Sequence, residues 1–183
     1  MNIILSILTT VTALIALLLV IGLFSKRAYT IEREIKINRP KQDVFNYIKF
    51  LKNQDHYNKW VMMDPAMRKE FTGNDATEGF IYAWNGNNKA GAGEQEIKQI
   101  TEGKRIDMEV RFKRPFKGIA VTRMETGSIL NLNDVPECTK VKWAFGSQLN
   151  YPMNLVLLFM NMDKMLGKDI EISLSNLKVI LEK

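Results

Sequence analysis

The first 25 residues carry no Lys, Arg, Asp or Glu, so every one of the chain's 46 charged side chains lies in the part that follows. Within that silent stretch Ile3–Phe24 is 22 residues long, 17 of them Ile, Leu, Val, Ala or Phe. As a helix it measures about 33 Å at about 1.5 Å per residue, against a bilayer hydrocarbon core of about 30 Å. Residues 1–27 are therefore expected to be a membrane anchor, and 28–183 a single working domain. A cleaved signal fits less well: no basic residue precedes the apolar core, the core is too long, and Gly22-Leu23-Phe24-Ser25 offers no A-x-A-like cleavage site. A helix apolar all round is also an unusual core element for so small a domain.

Charge asymmetry orients the span. Lys26, Arg27, Arg33, Lys36, Arg39 and Lys41 follow it closely, which predicts a domain on the cytoplasmic side of a single-pass protein. Net charge is +6, all outside the span. The single Cys138 forms no internal disulfide, and with the lone His56 it makes no Cys/His metal cage, so neither metal nor cofactor is expected.

Past the anchor, Tyr29–Ile37 alternates as a strand, and Pro40 opens a short helix with Val44, Phe45 and Ile48 on one face. Leu51–Asp64 reads as a second short helix or an irregular connection. From Met67 to Leu149 the period is two, and about six strands are expected. Ile106, Met108, Val110 and Phe112 alternate there with Asp107, Glu109, Arg111 and Lys113, and a turn is expected at Asn133–Glu137. Apolar residues then recur at three and four from Leu155 through Leu158, Phe159, Met162, Met165, Leu166 and Ile170 to Leu181. That spacing predicts one helix of about thirty residues, about 45 Å long, with a possible bend at Gly167. The expected fold class is α+β: a curved antiparallel sheet of about seven strands around a long C-terminal helix, with two short helices after the first strand.

This order, with Ile37-Asn38-Arg39-Pro40 leading to Val44-Phe45, Tyr47-Ile48 and Trp60, resembles the SRPBCC (START-like, helix-grip) superfamily. It is most similar to the polyketide cyclase/dehydrase and lipid-transport group. Tyr82-Ala83-Trp84, Gly91-Ala92-Gly93, Val141-Lys142-Trp143 and Met160-Asn161-Met162-Asp163-Lys164-Met165 fit a membrane-anchored bacterial subset of it. The resemblance spans Tyr29–Lys183 and implies a cavity for hydrophobic ligands between sheet and helix, without implying one activity.

Composition supports such a cavity independently. Seven of ten methionines fall in two segments, Met62, Met63, Met67 and Met153, Met160, Met162, Met165, and Met fills irregular apolar space readily. The expected lining comprises Tyr82, Trp84, Gln95, Met108, Val110, Phe112 and Met124 from the first strands. Trp143, Phe145, Met153, Phe159, Met162 and Met165 complete it. The same residues equally suit a packed core.

Catalytic constellations are sparse. His56 sits in a polar connection, Cys138 has no activating neighbour, and alternation puts Glu94 and Glu96 on the wet face. Gly91-Ala92-Gly93 precedes a strand, so it permits a bend and is no dinucleotide fingerprint. Arg111–Lys117 is the densest basic run; it suits a solvated face or an anionic lipid better than nucleic acid, because Phe112 belongs to the apolar alternation. The leading expectation is membrane-tethered binding or transport of a hydrophobic small molecule or lipid. The alternatives are a cyclase/dehydrase-like enzyme with Tyr82, Gln95 and Arg123 as polar handles, or an interaction module using Arg111 and Lys113.

Overall fold

The structure, a computed structural model, describes residues 2–130 and 136–183, apart from the side chains of 136 and 137. Most of the turn expected at Asn133–Glu137 thus lies outside the described residues. Helix α1 (Ile3–Phe24) is long and apolar enough to cross a membrane. Only Gly22 on it is buried, which excludes a core helix of the domain.

Strand β1 (Ala28–Ile37) follows at once, then α2 (Lys41–Ile48), a 3-10 turn at Leu51–Asn53, and the one-turn helices α3 (Gln54–Tyr57) and α4 (Lys59–Met62). Six strands come next: β2 (Arg68–Thr72), β3 (Ile81–Asn85), β4 (Ala92–Thr101), β5 (Arg105–Arg114), β6 (Gly118–Leu130) and β7 (Pro136–Gln148). All neighbours pair antiparallel in the order β1-β7-β6-β5-β4-β3-β2, a helix-grip fold. Alternation decides the faces. Ile106, Met108 and Val110 of β5 are buried inward, while Arg111 on the outer face meets Glu94 at 2.8 Å, Glu96 at 2.6 Å and Glu109 at 2.5 Å.

The C-terminal helix departs from expectation. In place of thirty continuous residues there is a 3-10 turn (Met153–Leu155), a one-turn helix α5 (Val156–Phe159), an extended break at Met160 and Asn161, and then α6 (Met162–Leu181). Asn161 makes the break favourable: its side-chain oxygen accepts from the Lys164 N–H at 2.9 Å, capping α6. Helix α6 runs through Gly167 without interruption. A Cβ there would overlap the Arg33 guanidinium, which crosses the helix to reach Asp163 at 2.9 Å and Glu171 at 2.5 Å. Ile170, Leu174 and Leu177 carry the buried face of α6 against β1 and α3.

Candidate functional site

A cavity of about 240 Å³ lies between the inner face of the sheet, helices α3 and α4, and Leu166 near the start of α6. Alternation delivers its wall. Tyr82 and Trp84 come from β3, Gln95 from β4, Val110 and Phe112 from β5, Thr122 from β6, and Trp143 and Phe145 from β7. Gln54, Asn58, Trp60 and Val61 close one side, with Met63, Met67 and Leu166, and the hairpin residues Lys89, Ala90, Arg114 and Pro115 frame the mouth.

All three tryptophans of the chain border this space, and each turns its indole N–H back into the protein. Trp60 donates to Asp169 at 3.0 Å, Trp84 to the Ala90 carbonyl at 3.1 Å, and Trp143 to the Thr122 hydroxyl at 2.8 Å. What remains toward the cavity is ring surface, with Trp60 edge-on to Trp143 at 6.3 Å and Trp84 edge-on to Phe112 at 6.1 Å. Gly93 makes room for Trp84: a Cβ there would stand 2.7 Å from its ring.

The buried polar side chains are also committed, with one exception. The Tyr82 hydroxyl donates to Asp55 at 2.7 Å; burial first, and then the Asp55 carboxylate, push its pKa upward, so it stays protonated and is no base. The Gln95 amide rests against the Met108 sulfur at 2.9 Å. Gln54, only 2 % exposed, is the exception. The Trp60 backbone N–H donates to Asn58 Oδ1 at 3.0 Å, which fixes the side-chain amide so that Asn58 Nδ2 donates to Gln54 Oε1 at 2.8 Å. Gln54 Nε2 is left as a buried donor without a partner. An unpaired buried donor costs about 1–3 kcal/mol.

Seven of the expected residues meet at this cavity: Tyr82, Trp84, Gln95, Val110, Phe112, Trp143 and Phe145. Met108 and Met124 face the same way two residues deeper, but they lie in the closed core. Met162 packs against the core and borders a separate shallow depression with Lys26 and Tyr29. Met153, Phe159 and Met165 must be corrected: all three are exposed, Phe159 by 73 %. The break at Met160 and Asn161 carries residues 153–159 away from the sheet to the foot of α1, where the Asn154 amide donates to the Gly22 carbonyl at 2.7 Å. Arg123 is no cavity handle either, since it pairs with Asp107 at 2.7 Å on the outer face.

Glu94 and Glu96 stand on that outer face, held below the usual carboxylate range by Lys113 and Arg111 and by Lys98 and Arg111 respectively. His56 is exposed, and among the described residues no three His, Cys, Asp or Glu side chains are grouped to hold a metal. Sequence reasoning missed Gln54, Asn58 and Thr122 as lining residues. Thr122 is recoverable, being two residues from Met124 on one strand face. Gln54 carries no such signal.

No family model matches this chain, and no curated protein does. Solved structures do. A protein from Chromobacterium violaceum, CV1439, is 12 % identical over 84 % of this chain and 97 % of its own, with a TM-score of 0.57. Major latex-like protein 151 of Panax ginseng is 10 % identical over 86 % of this chain and all of its own, with a TM-score of 0.56. The di-domain ARO/CYC protein BexL of the BE-7585A biosynthetic pathway is 12 % identical over 85 % of this chain and 50 % of its own, at 0.56. At these identities the likeness is one of fold.

Proposed function

We propose that this chain is a membrane-tethered protein that binds or transfers a hydrophobic small molecule or lipid, with residues 1–27 as the anchor and 28–183 as a cytoplasmic ligand-binding domain of the membrane-anchored helix-grip type. The observation that carries the reading is a cavity walled mainly by the rings of Trp60, Trp84, Phe112, Trp143 and Phe145, with a few polar side chains among them. Such a wall suits a ligand with an apolar body and few polar atoms, the usual make-up of a small-molecule site. Volume sets the scale: an apolar cavity of about 150 Å³ holds benzene, so about 240 Å³ takes a small ring system or a short length of acyl chain. Covalent chemistry has little support: Tyr82 is held protonated, and among the described residues no His, Cys, Asp or Glu lines the cavity. Tethering favours a ligand that concentrates in the bilayer.

The test uses a matched pair of probes, a naphthyl ketone and its parent hydrocarbon, on the full chain in nanodiscs. Both should bind the parent protein, and Val110→Phe, whose ring occupies the cavity, should abolish both. If neither probe binds the parent protein, or if Val110→Phe binds both as well as the parent does, the reading fails.

A further inference from the structure

The sheet register places the cavity mouth at the α1 end of the molecule. The row of paired residues that begins at Tyr29, five residues after the end of α1, runs through Ser147, Ala120, Val110, Gln95 and Tyr82. The β3–β4 and β5–β6 hairpins and the connection after β7 all lie at the α1 end of that row. The β4–β5 turn, Glu102–Lys104, lies at the other. Lys89, Ala90, Arg114 and Pro115, which frame the mouth, belong to the α1 end. Phe116 stands five residues beyond Arg111, about 16 Å at about 3.3 Å per residue. Ala28 is about 13 Å of extended chain from Phe24. The β5–β6 tip is therefore long enough to reach back to the level where α1 leaves the bilayer.

Chemistry at this end differs from the rest of the surface. Ser25–Arg27, residues 63–67, Asn85–Gly91, Arg114–Gly118 and Leu149–Asn161 contain Lys26, Arg27, Lys89, Arg114 and Lys117 against one acid, Asp64, whose carboxylate accepts from the Asn87 N–H at 2.7 Å. The turns at the opposite end mix Asp75, Glu78 and Glu102 with Arg39 and Lys104. Large apolar side chains are exposed here too: Phe24 by 87 %, Phe116 by 71 % and Phe159 by 73 %. On the outer face of β6 the exposed Ile119 and Val121 sit nearest the tip, and Arg123 takes over farther from it. An apolar tip ringed by an excess of Lys and Arg is what an anionic lipid surface stabilises, through burial of the rings and attraction to the headgroups.

We infer that this end of the sheet is a second membrane contact, in which Phe116 and Phe159 enter an anionic leaflet on either side of the mouth. The cavity then exchanges its ligand with the bilayer directly, and the ligand need not cross water. This inference rests on the anchored reading of α1.

Full-length chain with Cys138→Ser and one dye-labelled cysteine is placed in phosphatidylcholine vesicles with or without phosphatidylglycerol. Nitroxide-labelled lipid then reports depth at Phe116→Cys, Phe159→Cys, Leu14→Cys in the span, and Glu102→Cys at the far end. Severalfold stronger quenching at 116 and 159 than at 102, increased by phosphatidylglycerol, is the expected result. Lys117→Glu should slow loading of a pyrene-labelled fatty acid from anionic vesicles by about twenty-five-fold, since the charge changes by two units and each contributes about a factor of five near such a surface. Its equilibrium binding should not change. Position 14 quenched with 116 and 159 like 102 overturns the membrane contact and leaves the binding function standing. Position 14 unquenched removes the anchor and this inference together. Unchanged loading by Lys117→Glu also overturns it.

Discussion

Thr122→Val separates a wall built on tied-back tryptophans from one that is merely apolar. The substitution keeps side-chain size and removes one hydroxyl. That hydroxyl accepts from the Trp143 indole at 2.8 Å and donates to the Ala144 carbonyl at 3.0 Å. Trp143 is 2 % exposed, so its N–H would be left buried without an acceptor, a penalty of about 1–3 kcal/mol. The lost bond to Ala144 adds about 1 kcal/mol, giving about 2–4 kcal/mol in all. For a domain of this size Tm falls about 2–4 °C per kcal/mol, so the expected drop is about 4–16 °C. Near-ultraviolet circular dichroism of the full chain in nanodiscs follows the tryptophan environment directly. Thr122→Ser is the control: it keeps the hydroxyl, loses one methyl, and should cost only about 1 kcal/mol. In a Trp143→Phe background the valine substitution should lose most of its effect. If Thr122→Val stays within about 0.5 kcal/mol of the parent, or if serine costs as much as valine, the Thr122–Trp143 bond does not hold the wall.

Gly93→Ala would set a methyl 2.6 Å from the Arg111 carbonyl as well as against Trp84, so about 1–3 kcal/mol of stability and most apolar-probe binding should be lost together, read by melts and titration. Arg111→Met leaves Glu94, Glu96 and Glu109 facing one another and should lower Tm at neutral pH. The pairing holds Glu94 and Glu96 below their unfolded pKa, so its stabilisation is full above that value and is lost as pH falls through the lower folded one. The gap between parent and variant should therefore close in acid melts; a gap independent of pH would argue against it. Phe159→Ala, which would cost about 3–5 kcal/mol at a core position, should change chemical stability by less than about 0.5 kcal/mol, because the ring is exposed.

The strands were legible because a half-buried strand writes its two faces into alternate residues, as β5 does from Ile106 to Arg111. The same alternation identified Tyr82, Trp84, Phe112 and Trp143 as inward-facing. It says nothing of depth, which is why Met108 and Met124 share their direction with the wall but belong to the closed core. The stripe from Leu155 to Met162 misled for a different reason. Its apolar residues suit a surface beside the foot of α1, and their spacing imitates a helix packed on a sheet; Asn161, a capping residue inside the stripe, was the available contrary signal. Gln54 was invisible, because its missing partner results from the tertiary placement of Asn58 and Trp60 and leaves no trace in spacing.

All three tryptophans border the cavity and α1 contains none, so intrinsic fluorescence reports on the cavity with no contribution from the span. Titrating the full chain in nanodiscs with a bromo-substituted medium-chain fatty acid measures occupancy through heavy-atom quenching. Binding in the cavity gives quenching that saturates at one molecule per chain and is abolished by Val110→Phe, whose ring occupies the space while the chain stays folded. Quenching that rises without saturation, and equally in the parent and in Val110→Phe, would contradict a ligand-binding cavity.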